Sequence, residues 1–467
     1  MKQLRHNIRL TATVLIALFV LLGAYFGYSV YFYGGRWFAS PYNPRLSNQK
    51  QSVVAGDICD RNGMTLATTV NGTRAYPPGE ATRRAIAHVV GDSAGMVANG
   101  VETFMASYLL GFQTSPLNRL TQMFSGGQRR GDDLTLTLDA NLTRYAADVF
   151  PSGFRGAVVV LNWKTGEILA MTSLPDFDPL DLSDALKDSA AGALVNRATQ
   201  GLYPPGSTFK IVTYSAAYEN LPDLGGRRFS CLGQLPIERT VVTEAGNIAH
   251  GSLDMRAAFA QSCNNAFAAL ALELGYTRLE QEASAFGFNE NVLFRDLVLY
   301  NSSYPVNNQT RDDLAWSGIG QGRVLATPLH MAMVAATVAN DGVMMEPHLL
   351  LSVTQQGKAA NKGTPSVYKR VLSGDAAALV RDAMLAATKQ GTGSQAAISG
   401  HSVAGKTGSA EVSDDKTLGT HAWYVGFIDE QEHPLAISVV VEHGGSGGSV
   451  AAPVARKVLL EALELGY

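Results

Sequence analysis

The strongest pattern in the chain lies near its start. Residues 10–35 carry no charged side chain, a run of 26, while residues 1–9 carry Lys2, Arg5 and Arg9 and no acid. A helix needs about 20 apolar residues to cross about 30 Å of hydrocarbon. Residues 10–33 therefore read as one transmembrane helix, with Tyr25, Tyr28, Tyr31, Tyr33 and Trp37 forming an aromatic belt at its far end. The basic flank predicts a cytoplasmic segment, residues 1–9, with everything after Arg36 outside. A cleaved signal peptide would have an apolar region of about 7–15 residues followed by small residues. Here the run is longer and ends in bulky aromatics. No second apolar run of this length follows.

Beyond the anchor the pattern alternates between short strands and helices. Residues 49–67 are polar and turn-rich, with Asp60-Arg61-Asn62-Gly63 and Asn71-Gly72 as hairpin signals. A small mixed domain over residues 34–131 fits this segment, closed by the glycine-rich loop 125–131. Residues 134–138 alternate with period two and predict a strand, after which Asp139 can cap a helix over 140–150. Residues 157–161 and 167–171 predict a hairpin around Asn162-Trp163-Lys164-Thr165-Gly166. A helix-rich middle follows, with alanine-rich runs at 257–274 and 328–340. The pattern then returns to strands at 403–412, 423–428 and 435–442, and ends in a helix over 452–465. Strands at both ends with helices between predict an α+β domain over 132–467. It would hold one antiparallel sheet built from distant segments and covered by helices.

Composition narrows the function. The chain has 467 residues, enough for two to three domains and a large core. It is 46% hydrophobic and only 16% charged, which excludes a disordered chain. With 37 basic and 40 acidic residues it lacks the basic excess of a nucleic-acid binder. Cys59, Cys231 and Cys263 are odd in number and widely spaced, which fits neither a disulfide framework nor a zinc motif. They read as unpaired thiols packed as small hydrophobes. The nine histidines form no H-E-x-x-H pair, so the sequence gives no catalytic metal.

Several motifs have the form of chemistry without its context. Gly444-Gly445-Ser446-Gly447-Gly448 matches a nucleophile elbow, but no Asp or His follows Ser446 to complete a triad. A glycine-rich turn accounts for it. Gly318-Ile319-Gly320-Gln321-Gly322 lacks the third glycine spacing and the preceding strand of a dinucleotide loop. Lys164-Thr165-Gly166 sits in a predicted hairpin turn and reads as structural.

Ser207-Thr208-Phe209-Lys210 is different. Pro204, Pro205 and Gly206 stop the preceding segment, and a helical run is predicted from Ser207 to about Tyr218. Residues three apart share a helix face, so Ser207 and Lys210 lie one turn apart at a helix amino terminus, where the field is positive. A serine hydroxyl needs an adjacent base, and a lysine serves if burial and neighbouring cations lower its pKa. Ser262-Cys263-Asn264 follows 55 residues later inside an apolar run, where its polar groups require partners. Lys406-Thr407-Gly408 comes 144 residues after Ser262, on a predicted strand whose glycine would let a ligand backbone approach closely. Each motif alone is weak. Their order is not.

S-x-x-K, then S-x-N, then K-T-G resembles the signature of the penicillin-binding proteins and β-lactamases. The chain resembles the class B penicillin-binding proteins, the monofunctional D,D-transpeptidases of bacterial cell-wall synthesis. Residues 196–207 (NRATQGLYPPGS), 166–171 (GEILAM), 320–322 (GQG) and 339–342 (ANDG) are similar to further family blocks, and 56–63 (GDICDRNG) to its membrane-proximal signature. Ser409 stands where the family often has Thr, and Ala55 where it often has Arg. The resemblance implies a transmembrane anchor, a small mixed α/β pedestal, and a β-lactamase-like transpeptidase domain with an all-helical subdomain.

It also implies roles. Ser207 would attack the carbonyl of a D-Ala-D-Ala stem peptide, and Lys210 would take its proton. Ser262 would relay that proton, Lys406 would supply positive charge, and Asn264 would orient Lys210 and bind the substrate amide. Thr407, Gly408 and Ser409 would bind substrate, Thr407 through the terminal carboxylate. The backbone N–H groups of Ser207 and Ser409 would form an oxyanion hole. β-Lactams would acylate the same serine, and no metal or organic cofactor is implied. A separate membrane glycan polymerase is the implied partner, since no glycosyltransferase domain fits between residues 33 and 134. A β-lactamase would share the motifs but lacks an anchor and pedestal. A β-lactam sensor would carry several transmembrane helices. An inactive scaffold would not require every motif residue. Some D,D-carboxypeptidase activity is compatible with the same residues.

Overall fold

The computed structural model describes residues 2–38, 53–97, 99–112, 129–187, 192–306, 310–355, 357–412 and 419–467. The side chains of Tyr31, Tyr33 and Trp37, residues 49–52, and residues 125–128 of the loop expected to close the small domain lie outside that description. A single helix, Lys2–Phe38, opens the chain. Its apolar stretch Gln3–Val30 is 28 residues long, and its most apolar window is exposed throughout. At 1.5 Å per residue this spans about 42 Å, enough to cross a bilayer.

The hairpins signalled by turn residues form as the local chemistry requires. Asp60 accepts from the backbone N–H groups of Asn62 and Met64, turning Ile58–Cys59 into Thr65–Val70. Asn71 and Gly72 both take positive φ, as a two-residue hairpin turn demands, and join Thr65–Val70 to Thr73–Ala75. These strands belong to a six-stranded sheet in the order Lys358–Lys362, Leu350–Gln355, Asp133–Leu136, Ile58–Cys59, Thr65–Val70, Thr73–Ala75. Strands on both sides of the boundary expected at 131/132 therefore share one sheet. Arg74 and Glu102 form a buried ion pair there at 2.6 Å.

The second sheet has five antiparallel strands in the order Val403–Ala410, His421–Ile428, Leu435–Val441, Gly156–Asn162, Ile168–Leu174. The three central strands are almost wholly buried, because helices cover both faces. Pro328–Ala339, apolar all round and fully buried, lies against one face. Ala452–Glu464 and Ala140–Asp148 lie on the other. Asp139 caps the latter by accepting from the N–H groups of Asn141 and Leu142. Val403–Ala410 forms the sheet's edge and so presents a row of backbone groups with no strand partner. That edge carries Lys406, Thr407, Gly408 and Ser409.

Two helices differ from the pattern reading. Gly206–Phe209 is a 3-10 turn, and the α-helix begins at Lys210 and runs to Asn220. The alanine-rich run also breaks into Met255–Ala260 and Asn264–Ala285. Ser262 sits in the break with φ at +59°, a conformation rare for a residue with a side chain. Periodicity of apolar positions continues through such a break, so the pattern gave no sign of it.

Candidate active site

Three segments far apart in sequence meet beside the edge strand. The Ser207 turn packs directly on that strand. Gly206 donates its N–H to Gly320 O at 2.9 Å, and Trp423 donates its indole N–H to Pro204 O at 3.0 Å. A Cβ at Gly320 would lie 2.2 Å from Gly206 O, which is why the first residue of the G-Q-G segment is glycine. Upstream, Glu442 accepts from Arg197 and from the Tyr203 hydroxyl, both at 2.7 Å, tying the approach to Ser207 to the end of the central strand.

Lys210 is fully buried and donates to Ser262 O at 2.6 Å, Asn264 Oδ1 at 2.7 Å and Ser262 Oγ at 3.3 Å. Those bonds use the three donors of an ammonium group. None reaches Ser207, whose side chain is half-buried at the cleft wall. Lys406 is fully buried too and donates to Ser262 Oγ at 2.8 Å and to Thr407 O at 3.1 Å. The two lysines stand over the rings of Phe267 and Phe259 respectively. Burial pushes Lys210 down to about 8, against the opposing pull of Glu244. Lys406 is pushed well below the ordinary lysine range, by burial first and by Lys210 second. Two ammonium groups sharing one buried hydroxyl cannot both remain comfortably charged.

The remaining residues are placed by their neighbours. Asn264 donates Nδ2–H to Thr243 O at 2.8 Å, which points its Oδ1 at Lys210. Thr407 donates to Thr392 Oγ1 at 2.7 Å. Ser409 is exposed on the edge strand, and its hydroxyl accepts from Gly447 N at 3.2 Å. The sequence reading made Gly408 a place for ligand backbone to approach. A Cβ there would instead lie 2.9 Å from Pro205 O and 3.1 Å from the Trp423 Cβ. Gly408 is small so that the strand can pack against the serine turn. Ser207, Thr243, Asn264, Gln321, Ser409 and Glu411 are among the residues lining the adjoining cleft of about 340 Å³. A larger cleft of about 500 Å³, beside Arg74 and Glu102 in the first sheet, shares none of these residues.

Several supporting residues had no motif to reveal them. Glu244, 4% exposed, accepts from the N–H groups of Asn264 and Asn265 at the amino terminus of Asn264–Ala285, where the helix dipole favours a carboxylate. The pattern reads Gly444–Gly448 as a glycine-rich turn; its last two residues instead open the short π-helix Gly447–Ala451, and the segment lies against the site: a Cβ at Gly447 would meet Gly408 O at 2.3 Å. Lys164 lies in its hairpin turn and donates to Gln431 O, far from Ser207 in the topology. Cys59, Cys231 and Cys263 are all free. The fold brings Cys231 and Cys263 together with Glu244 and His250, a set of donors that could hold a metal ion. A second set, His401, Glu430 and His433, is half-buried.

A serine-bearing turn, two buried lysines and a bridging serine hydroxyl on a helix-covered antiparallel sheet have the arrangement of a serine acyltransferase of the penicillin-binding type. Residues 156–460 match the penicillin-binding protein transpeptidase domain. The chain belongs to that family, and within it to the class B penicillin-binding proteins. It is 34% identical to the peptidoglycan D,D-transpeptidase PbpA of Mycolicibacterium smegmatis, over 98% of this chain and 99% of the relative. It is 30% identical to the peptidoglycan D,D-transpeptidase MrdA of Acinetobacter baumannii, over 70% of this chain and 53% of the relative. Among solved structures, a ceftriaxone acyl-enzyme complex of penicillin-binding protein A from M. tuberculosis superposes with a TM-score of 0.81 at 30% identity, covering 90% of this chain and all of that one.

Proposed function

We propose that this protein, a peptidoglycan D,D-transpeptidase, crosslinks stem peptides through an acyl-enzyme on Ser207. Ser207 Oγ attacks the carbonyl of the D-Ala-D-Ala bond. The C–N bond breaks, and D-alanine leaves with the proton that the serine gave up. An amine of a second stem peptide then attacks the ester, and Ser207 recovers its proton.

Lys210 is the base that takes the serine proton. Its lowered pKa supports this, because a neutral amine is needed and an ordinary lysine is almost fully charged at pH 7. Ser262 passes a proton toward the leaving amine, with Lys406 holding the other side of its hydroxyl. Asn264 fixes Lys210 and offers its amide to the substrate. Substrate adds to the free edge of Val403–Ala410 as an extra strand, with Thr407 at its carboxylate, and the N–H groups of Ser207 and Ser409 stabilise the oxyanion. One such donor is worth about 3–4 kcal/mol. β-Lactams acylate the same serine. The observation that carries this reading is the single hydroxyl of Ser262 shared by two buried lysines.

The apolar helix Lys2–Phe38 is compatible with a membrane anchor. Lys2, Arg5 and Arg9 favour an amino terminus in the cytoplasm, with residues 34–131 as a pedestal and 132–467 as the catalytic domain outside. A separate membrane glycan polymerase supplies the strands to be crosslinked. Water in place of the amine would give minor D,D-carboxypeptidase activity.

The test is labelling of the full-length membrane protein with a fluorescent penicillin, beside Ser207→Ala. A long-lived covalent band that disappears in the variant is expected. A band that decays quickly would indicate a hydrolase. A band retained in Ser207→Ala would remove Ser207 as nucleophile.

A further inference from the structure

The cleft beside Ser207 has a charge pattern that the mechanism above does not use. Among the described residues lining it, two are acidic, Glu244 and Glu411, and none is basic. Glu244 is committed to the backbone: its Oε2 accepts from Asn264 N–H at 2.9 Å and its Oε1 from Asn265 N–H at 2.7 Å. Glu411 is exposed, one residue past the end of the edge strand Val403–Ala410. On the reading that substrate adds to this edge and is acylated onto Ser207, we propose that Glu411 and Trp316 form a subsite for the ammonium group of a stem peptide.

Strand geometry sets the position. Successive side chains of a strand point to opposite faces. Thr407, Ser409 and Glu411 therefore share a face. Burial follows that alternation at the strand's end, with Ser409 and Glu411 exposed and Ala410 buried between them. At about 3.3 Å per residue, Glu411 lies about 7 Å beyond Ser409. The donor's carboxylate sits at Thr407 and its reacting carbonyl at the Ser409 N–H. The rest of the donor then runs on past Ser409, toward Glu411.

Substrate chemistry supplies the ligand. A crosslink joins the amine of one stem peptide to a carbonyl of another. Every donor therefore brings an amine of its own, an ammonium in neutral water. In a cleft with no basic lining residue, its natural partner is the Glu411 carboxylate. Trp316 serves the apolar part of the same group. Its indole N–H is spent on Thr240 Oγ1 at 3.2 Å, so it offers ring carbon to the cleft. The carbon stem that carries an amine packs on such a surface while its charged end stays at the carboxylate.

The test uses the full-length protein in detergent and two synthetic D-Ala-D-Ala stem-peptide donors. One has its side-chain amine free, and the other has that amine acetylated. Wild type should be acylated faster by the free-amine donor, by about 2–5-fold, the range of an exposed ion pair, and the preference should shrink as salt rises. Glu411→Gln should abolish the preference and Glu411→Lys should reverse it, while Glu411→Asp keeps part of it. All three change an exposed side chain, so folding should be retained. A second arm measures how acyl-enzyme made from the acetylated donor divides between water and an added amine acceptor. No donor preference in wild type, with aminolysis lowered in Glu411→Gln, would assign the subsite to the acceptor's ammonium. Equal rates from both donors with an unchanged division in Glu411→Gln would overturn the subsite. So would a donor preference that Glu411→Gln retains. No acyl-enzyme from either donor would overturn the Ser207 reading, and the subsite with it.

Discussion

Lys406 donates to the hydroxyl of Ser262 at 2.8 Å, and Lys210 reaches the same hydroxyl from the other side at 3.3 Å. Both lysines are wholly buried, and among the described residues the Ser262 hydroxyl is the side-chain group to which both donate. That oxygen gives a proton a direct path from one lysine to the other.

Lys210 is depressed to about 8, so it is mostly protonated below that value and mostly neutral above it. With Lys210 as the proposed base, acylation needs the neutral form. The second-order rate of β-lactam acylation should therefore rise about tenfold per pH unit below about pH 7 and level off above about pH 8.5. Stopped-flow acylation across pH 6–9.5 measures it. A flat profile would exclude Lys210 as the base.

Removing the shared hydroxyl should cut the relay while leaving the nucleophile. Ser262→Ala is expected to lower the acylation rate by about 10²–10⁴-fold with folding retained, and Lys406→Ala to fall in the same range. The double variant should be little worse than either single one, because the two residues act as a unit. Additive losses would separate them.

Gly408→Ala should damage stability rather than recognition alone. The new Cβ would lie 2.9 Å from Pro205 O, so the edge strand or the serine turn must move. A cost of about 1–3 kcal/mol is expected, with slower labelling as Ser207 shifts. Calorimetry and labelling on the same sample check it. An unchanged melting temperature would mean that the turn yields freely.

Beside the six-stranded sheet, Arg74 and Glu102 have side chains each 6% exposed and pair at 2.6 Å. Glu102→Ala leaves Arg74 charged and buried, at an expected cost of about 3–5 kcal/mol. Replacing both with apolar residues of similar size should recover most of that loss. Denaturant unfolding of the three variants gives the comparison.

The sequence by itself determined what depends on neighbours along the chain. The apolar run made the first helix, Asn71-Gly72 made a hairpin because both residues tolerate positive φ, and Asp139 capped the helix beginning at Ala140. Period-two and apolar runs placed the strands of the main sheet within a few residues. The resemblance carried by three short motifs named Ser207, Asn264 and Ser409, which line the cleft, and Lys210, Ser262 and Lys406, which meet beside it, though each motif alone was uninformative.

Tertiary structure decided the rest, because it depends on which distant atoms fill the same space. The break at Ser262 has no local signature: its strained backbone is held by Lys210 on its carbonyl and by Glu244 at the helix behind it. Gly408 is small because Pro205 lies across from it, a contact between residues 203 positions apart. Glu244, Thr392 and Gly447 belong to no motif, yet packing sets each of them against the site. Lysine pKa values follow the same rule. A charge is weakened by burial and by a second charge nearby, and neither is visible until the chain has closed on itself.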